Sequence, residues 1–483
     1  MNYNTKQNSN LFLIRFYIVL LIILVIDFLL LERSFSIFNV YYLLSFFIVI
    51  LFSFFFRTEK FILLAKQKFK ISYLFLFSFI VVHFQYYFDL ALDETLLPIF
   101  TRKISDPDTL IKSGIISLIG LVSFLLGYLI KRDSVKLKLR NKKYRHTYML
   151  KALCFFSFIY FIVSLDLVKF FLGDGSETDS LSYYAMMLLE VSIISVLLSH
   201  SHNLSHQNRS ISLLKFITSL GFVVNFILVI YLALVALSGD RGPIISFALV
   251  YTFSYIKASN KIFDKKLIFI SISIGLLFII QLGVVRSLNK NLSYLDRISS
   301  SFNQDSRFSY KSIIPFTQEL SKSSRCLNIA VGSVPEINSF FYGRFQLQQI
   351  ISAIPFTSFL NTMIFDNIPE YKGSTYYITW RYQGQLDGFN GIGSTCIADL
   401  YLDFGVFGVA FGMLLFGYLL RQIELYSIIN HSNVFISCLT FSFMFFAIGI
   451  ARQSILMPLK YLALLYIVLK LSLIITSRNT KLN

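Results

Sequence analysis

Charge is scarce in this chain. Only 14% of its 483 residues are charged while 55% are hydrophobic, and the mean hydropathy is +0.67. So few charges cannot cover the surface of a soluble protein of this length, so apolar runs long enough to cross hydrocarbon are required. Acidic residues are the scarcest of all, 26 against 44 lysines and arginines, which leaves a net charge of +18. That excess sits in short segments between apolar runs, as membrane topology demands, and no basic-aromatic groove pattern accompanies it. Nucleic acid is therefore excluded as a partner. Cysteine is also sparse. Cys154, Cys326, Cys396 and Cys438 form no CxxC pair, and two of them lie inside apolar runs. Neither a metal site nor a disulfide framework follows, although Cys326 and Cys396 could both face outward and pair. No Walker-type glycine loop ending in Lys-Ser or Lys-Thr occurs, and no internal repeat is visible.

The apolar runs fall near 11–31, 37–56, 71–88, 110–130, 148–166, 182–199, 213–237, 243–257, 267–285, 396–420, 432–450 and 455–475. They predict an all-α polytopic bundle of about twelve transmembrane helices. The first run is too long for a signal-peptide core and lacks a small-residue cleavage site, so it reads as a retained helix. Three segments follow: helices one to nine over 1–285, a large extracytoplasmic loop over 286–395, and helices ten to twelve over 396–483.

Basic residues set the orientation. With a cytoplasmic N-terminus, the inside loops hold Arg57, Lys60, Lys66, Lys68 and Lys70, then eight basic residues between Lys131 and Arg145, then Lys257, Lys261, Lys265 and Lys266. The short outside loops are acidic, as at Asp89, Asp93 and Glu94. The alternation holds through every helix, which places both termini in the cytoplasm. It also places the 110 residues of 286–395 outside, far longer than an ordinary connection and therefore a functional candidate. Semi-apolar stretches within it, such as 350–359, could lie on the membrane or dip into it.

Chemistry in a membrane protein is marked by charge placed where it is costly. Arg241 in Ser238-Gly239-Asp240-Arg241-Gly242-Pro243, Arg286 and Arg452 stand at outward helix ends, against the topology bias. Guanidinium forks grip phosphate oxygens bidentately, so together they read as a clamp for an anion. The alternative is that each snorkels or pairs with a nearby carboxylate, as Arg241 could with Asp240. Asp399 and Asp403 lie four apart in an apolar run and so share one helix face. One of them could act as a general base or bind a sugar hydroxyl; a structural pair with an arginine is the plainer reading. Gly405, Gly408 and Gly412 read as close helix packing. Glu190 and Lys460 are deeper anomalies that could pair. His83 is the only histidine near the outer surface, whereas His200, His202 and His206 read as a solvated inner loop.

The many-helix plan, the late outer loop, the Gly-Asp-Arg-Gly turn at 239–242 and the Gly393-Ser394-Thr395-Cys396-Ile397-Ala398-Asp399-Leu400-Tyr401 entry into a helix carrying Phe404-Gly405-Val406-Phe407-Gly408 resemble the O-antigen (polysaccharide repeat-unit) polymerases of the Wzy type. The resemblance implies a glycosyltransferase of the bacterial inner membrane, working at its outer leaflet. It would join repeat units carried on undecaprenyl pyrophosphate, with no cofactor or metal. Besides that glycan and membrane lipid, a chain-length regulator protein is an implied partner. In this chemistry Arg241, Arg286 and Arg452 would hold the diphosphate, with Arg344, Arg381 and Asp403 as further substrate contacts. Asp399 would activate the acceptor hydroxyl, with His83 and Asp240 as rivals. Related lipid-linked glycan ligases use a histidine there, and 286–395 contains none. The alternatives are an O-antigen ligase and a flippase for lipid-linked sugars; a flippase should show paired halves and cations through the depth of a cavity.

Overall fold

The computed structural model describes residues 3–31, 33–55, 69–101, 106–130, 147–165, 180–205, 211–238, 240–259, 312–314, 317–354, 357, 359–384, 386, 391–429 and 433–479. Among these residues every regular element is a helix. Eight helices are long and apolar enough to cross a membrane, or nine if one bent pair counts as a single span. The difference from twelve has local causes. The 213–237 run breaks into Leu213–Leu220 and Phe222–Ser238, bent by 97° at Gly221, whose φ is +102°. Asn225 stabilises that bend, its side-chain amide donating to the freed Ile217 carbonyl (2.8 Å) and to the Gly221 carbonyl (3.0 Å) that its own backbone N–H also reaches. The 432–450 run yields only Val434–Phe445, followed by the 3-10 turn Gly449–Arg452. Gly242–Ser259 is helical but carries too many polar side chains to stand among the eight. The 267–285 run, like most of the basic loops, lies outside the described residues.

The chain folds into two compact units. One comprises Met1–Leu137, Tyr310–Ile428 and Ala447–Met457; the other comprises Lys138–Ser309, Ile429–Phe446 and Pro458–Asn483.

At the centre of the first unit stands Asp108–Leu129, buried along its whole length apart from Asp108 and Lys112. Hydrocarbon offers no hydrophobic drive between helices, so close backbone approach must supply the packing. Gly127 and Gly417 provide it. A Cβ on Gly127 would lie 1.9 Å from the Leu414 carbonyl oxygen, and one on Gly417 would lie 2.1 Å from that of Phe124. Phenylalanines fill the space beside this seam, with Phe75 4.8 Å from Phe124 and 4.9 Å from Phe416 between ring centroids. A buried polar cluster ties one end of the same helices together. Glu424 accepts from the Ser72 backbone N–H (2.7 Å) and the Tyr128 hydroxyl (2.8 Å), while Arg421 donates to the Tyr128 carbonyl (2.7 Å).

Cys396–Ile429 begins and ends as one helix but is two. At Gly405 the backbone leaves helical space, with φ 63° and ψ −152°. Residues twelve apart on a straight helix are separated by about 18 Å along its axis. Here the Leu400 side chain would come within 2.6 Å of a Cβ on Gly412, so 396–404 turns back along 406–429. Gly405, Gly408 and Gly412 thus leave room for a sharp corner within one chain. The carbonyls freed at the corner are taken up by a passing segment: Phe341 N–H donates to Leu402 (3.0 Å) and Tyr342 N–H to Asp403 (2.9 Å). The Asp403 carboxylate then accepts the N–H groups of Phe345 (3.2 Å) and Gln346 (2.8 Å) at the start of Arg344–Ala353.

Within 286–395 the described residues form short helices only: Gln318–Ser321, Ser324–Ser333, Arg344–Ala353, Phe359–Ile364 and Ser374–Gln383, with a 3-10 turn at Pro369–Tyr371.

In the second unit, Thr147–Ser164, Ser180–Ser205, Phe222–Ser238, Gly242–Ser259, Val434–Phe445 and Met457–Asn479 surround a buried carboxylate. Glu190 is not paired with Lys460. It accepts from the hydroxyls of Tyr231 and Tyr461, while Lys460 lies over the Tyr183 ring at 4.6 Å and donates to its hydroxyl (3.3 Å). Two phenols satisfy a buried carboxylate without the cost of a second desolvated charge. His200 and His202 are buried within Ser180–Ser205 rather than solvated, and His200 Nε2 lies 3.0 Å from Ser219 Oγ. His206 lies outside the described residues.

Two outcomes follow for stability in detergent. Gly127→Ala and Gly417→Ala should each cost about 1–3 kcal/mol by overpacking, whereas Gly449→Ala, whose nearest neighbour would be 3.9 Å away, should melt like the parent. Asp403→Ala should cost about 1–2 kcal/mol as a lost helix cap. Thermal unfolding followed by circular dichroism checks both.

Candidate functional site

Asp399 sits in the short helix 396–404, near its N-terminal end and six residues before the corner at Gly405. It is 1% exposed. Thr395 opens the helix, its hydroxyl accepting the Ala398 N–H at 3.1 Å. The carboxylate itself accepts from Ser394 Oγ on one oxygen and from Gln349 Nε2 (3.1 Å) on the other, and the hydroxyls of Ser374 and Ser454 also interact with it. Among the described residues no ion pair reaches it, so the expected arginine partner is replaced by neutral donors. Next to Ser394, a Cβ on Gly393 (φ +84°) would meet nothing within 4 Å among the described residues. Asp399 and Asp403 address the same neighbouring helix, Arg344–Ala353, as their four-residue spacing requires. Asp403 engages its backbone start, and Asp399 engages Gln349 one turn further on. Both oxygens of Asp403 are thereby occupied by backbone.

Arg452 and Arg325 meet at the start of Ser324–Ser333. Arg452 ends the 3-10 turn Gly449–Arg452, which Ser78 holds through its bond to the Ile448 carbonyl (2.6 Å). Its Nε donates to Ser323 Oγ at 2.8 Å. Arg325, two residues after Ser323, donates to the Lys322 carbonyl (3.2 Å) and the Tyr382 hydroxyl (3.3 Å) and lies over the Tyr382 ring. Between these groups lies Cys326. Burial pushes its thiol up to about 12, Arg325 and Arg452 pull the other way, and Asp399 adds to the rise. One side chain therefore senses both guanidinium groups and the carboxylate. Cys326 and Cys396 are both free, and Cys326 donates to the Ile392 carbonyl at 3.4 Å.

Arg381 reaches toward the same helix, Ser324–Ser333, from Ser374–Gln383, its Nε donating to Ser333 Oγ (3.3 Å) and its guanidinium 5.5 Å from the Trp380 ring. It also lowers the neighbouring Tyr377 hydroxyl, which burial pushes up to about 12. Arg344 is engaged differently, donating to the Asp366 carbonyl (3.0 Å) with the Phe365 and Tyr371 rings each 5.3 Å away. Among the described residues Arg325, Arg344 and Arg381 are held by neutral oxygens and aromatic rings, not by carboxylates. Their positive charge remains available to an anion.

His83 lies on Ile71–Leu92, 1% exposed, with its ring 4.6 Å from Phe79 and neither nitrogen hydrogen-bonded among the described residues. The same helix fixes the incoming chain, Gln85 and Asp89 binding Ser312 at 2.9 and 2.7 Å. Asp240 and Arg241 belong to the other unit, where Asp240 accepts the Gly242 N–H (2.9 Å) at the start of Gly242–Ser259. Arg286 and Gly239 lie outside the described residues. Sequence reasoning missed Arg325, Gln349, Ser323 and Ser394. Arg325 follows Lys322 in a polar stretch that reads as solvated, and an amide or hydroxyl carries no signal of burial on its own.

No curated protein and no solved structure matches the chain. A family model described as O-antigen polysaccharide polymerase Wzy matches residues 12–481, and with nearly the whole chain covered, this protein belongs to that family of multi-pass membrane proteins acting in O-antigen polymerisation.

Proposed function

We propose that this chain joins oligosaccharide repeat units carried on undecaprenyl pyrophosphate, at the outer leaflet of the bacterial inner membrane and with both termini cytoplasmic. The observation that carries the reading is a buried carboxylate, Asp399, held by neutral donors among the described residues, together with the half-buried guanidinium groups of Arg452 and Arg325, all three acting on the Cys326 thiol. Family membership supports the polymerase over the ligase and the flippase.

In this reading the acceptor sugar's hydroxyl oxygen attacks the anomeric carbon of the donor glycan. The bond from that carbon to the diphosphate oxygen breaks, and the lipid diphosphate leaves. The hydroxyl proton passes to Asp399, with His83 and Asp240 as the other candidates. Negative charge grows on the leaving diphosphate as the bond stretches, so fixed cations stabilise the transition state more than the ground state. Arg452 and Arg325 are assigned that role, with Arg381 beside them. Arg241 and Arg286 are candidate diphosphate contacts from their sequence positions alone, and Arg344 and Asp403 shape the neighbouring helix. Gln349 and Ser394 hold the Asp399 carboxylate in one orientation, each leaving lone pairs on the oxygens to receive a proton.

Asp399→Asn should lower the rate of polymer formation about 10²–10⁴-fold, the range of a lost general base. Arg452→Ala should lower it about 10²–10³-fold, as for a lost transition-state donor, and Arg452→Lys should rescue poorly because an ammonium lacks the planar fork. Surface-glycan gels from cells carrying each variant read the outcome: a single-unit band retained and the ladder lost, with membrane protein levels unchanged. A full ladder in Asp399→Asn would remove it from the reaction.

A further inference from the structure

Residues 345–365 contain no charged side chain, a run of 21 lying between Arg344 and Asp366. It is not a span, because its described residues fold into two short helices, Arg344–Ala353 and Phe359–Ile364. The first helix turns Phe345, Gln348 and Ala353 inward. Its opposite face presents Leu347, Ile350 and Ile354, and the second helix adds Phe359, Met363 and Ile364, all exposed, Met363 to 75%. A water-facing helix pair of this length would carry charge on that face.

Three short polar side chains of this hairpin are turned back onto it, while Gln348 donates to the Tyr371 carbonyl (3.0 Å) and Gln349 to Asp399. Thr357 Oγ1 donates to the Ile354 carbonyl (2.9 Å), Thr362 Oγ1 to that of Phe359 (2.7 Å), and Asn361 Nδ2 to Ser352 Oγ (2.8 Å) and the Gln348 carbonyl (3.3 Å). Internal satisfaction of this kind is what an apolar solvent imposes. The exposed face is also continuous with a membrane-facing one. Phe407, Phe411 and Leu415 are exposed at helical spacing along 406–429, the long arm of the membrane-length Cys396–Ile429, and Phe404 is exposed at the corner before them. Phe404 packs at the foot of the hairpin, its ring 2.8 Å from where a Cβ on Gly343 would stand.

We infer that the exposed apolar face of the 344–364 hairpin is seated in the bilayer, against the acyl chains of membrane lipid, and not in water. This inference is independent of the polymerase reading. Its consequence is positional: Gln349, on the polar side of the seated helix, contacts Asp399, so the carboxylate lies close to the depth at which a lipid's acyl chains meet its headgroup.

Tryptophan fluorescence tests it, because Trp380 is the only tryptophan in the chain. In a Trp380→Phe background, Met363→Trp, Ile350→Trp, Phe407→Trp and Lys372→Trp are each reconstituted into phosphatidylcholine vesicles with plain or acyl-brominated lipid. Brominated lipid should quench Met363→Trp and Ile350→Trp as strongly as Phe407→Trp and leave Lys372→Trp bright. If both hairpin variants behave like Lys372→Trp and are quenched by aqueous acrylamide, the face is in water and the inference is wrong. Protection from both quenchers would also overturn it, pointing to a second copy or another protein on that face.

Discussion

The corner at Gly405 is the constraint on which the first unit's site depends. A glycine with φ 63° ends 396–404 abruptly and lets it lie back along 406–429, where Gly408 and Gly412 leave room for Leu400. A helix broken in an apolar setting exposes carbonyls that must find donors. Phe341 and Tyr342 supply them, and the Asp403 carboxylate completes the exchange by capping the helix those residues lead into. The segment between the spans is thereby stitched to the broken helix, and that stitch carries Gln349 to Asp399.

Buried carboxylates in this protein are satisfied by hydroxyls, amides and backbone N–H groups more than by cations. Glu190 has two tyrosines, Glu424 a tyrosine and a backbone amide, Asp403 two backbone amides, and Asp399 a serine and a glutamine. Among the described residues Arg325, Arg344 and Arg381 show the complementary habit, resting on serine and tyrosine hydroxyls, carbonyls and ring faces. A group of unlike charges held apart in this way keeps its field for a ligand, whereas mutual neutralisation would spend it within the protein.

Much of this organisation was legible in the residues. Apolar run length located eight spans, because hydrocarbon thickness imposes a requirement that composition alone can meet. The four-residue spacing of Asp399 and Asp403 placed both on one face, and both address Arg344–Ala353. What could not be read was anything set by a break. Gly405 looks like a packing glycine in sequence and Gly221 carries no signal, yet their positive-φ backbone divides two apolar runs into four helices. Arg325 gave no signal because its value lies in proximity to Arg452, which only the folded chain brings to the Ser323–Arg325 stretch. The Glu190–Lys460 pairing failed for a related reason: complementary charge suggested it, but tyrosines were closer and cost less to bury.

The central claim is that the guanidinium groups beside Asp399 receive a lipid diphosphate. An electron cryo-microscopy map of the protein with a lipid-pyrophosphate-linked repeat unit tests it most directly. The account predicts diphosphate density within hydrogen-bonding distance of Arg452 and Arg325, with a sugar reaching the space beside Gly393. Density for the diphosphate at a position from which neither arginine can touch it would contradict the account.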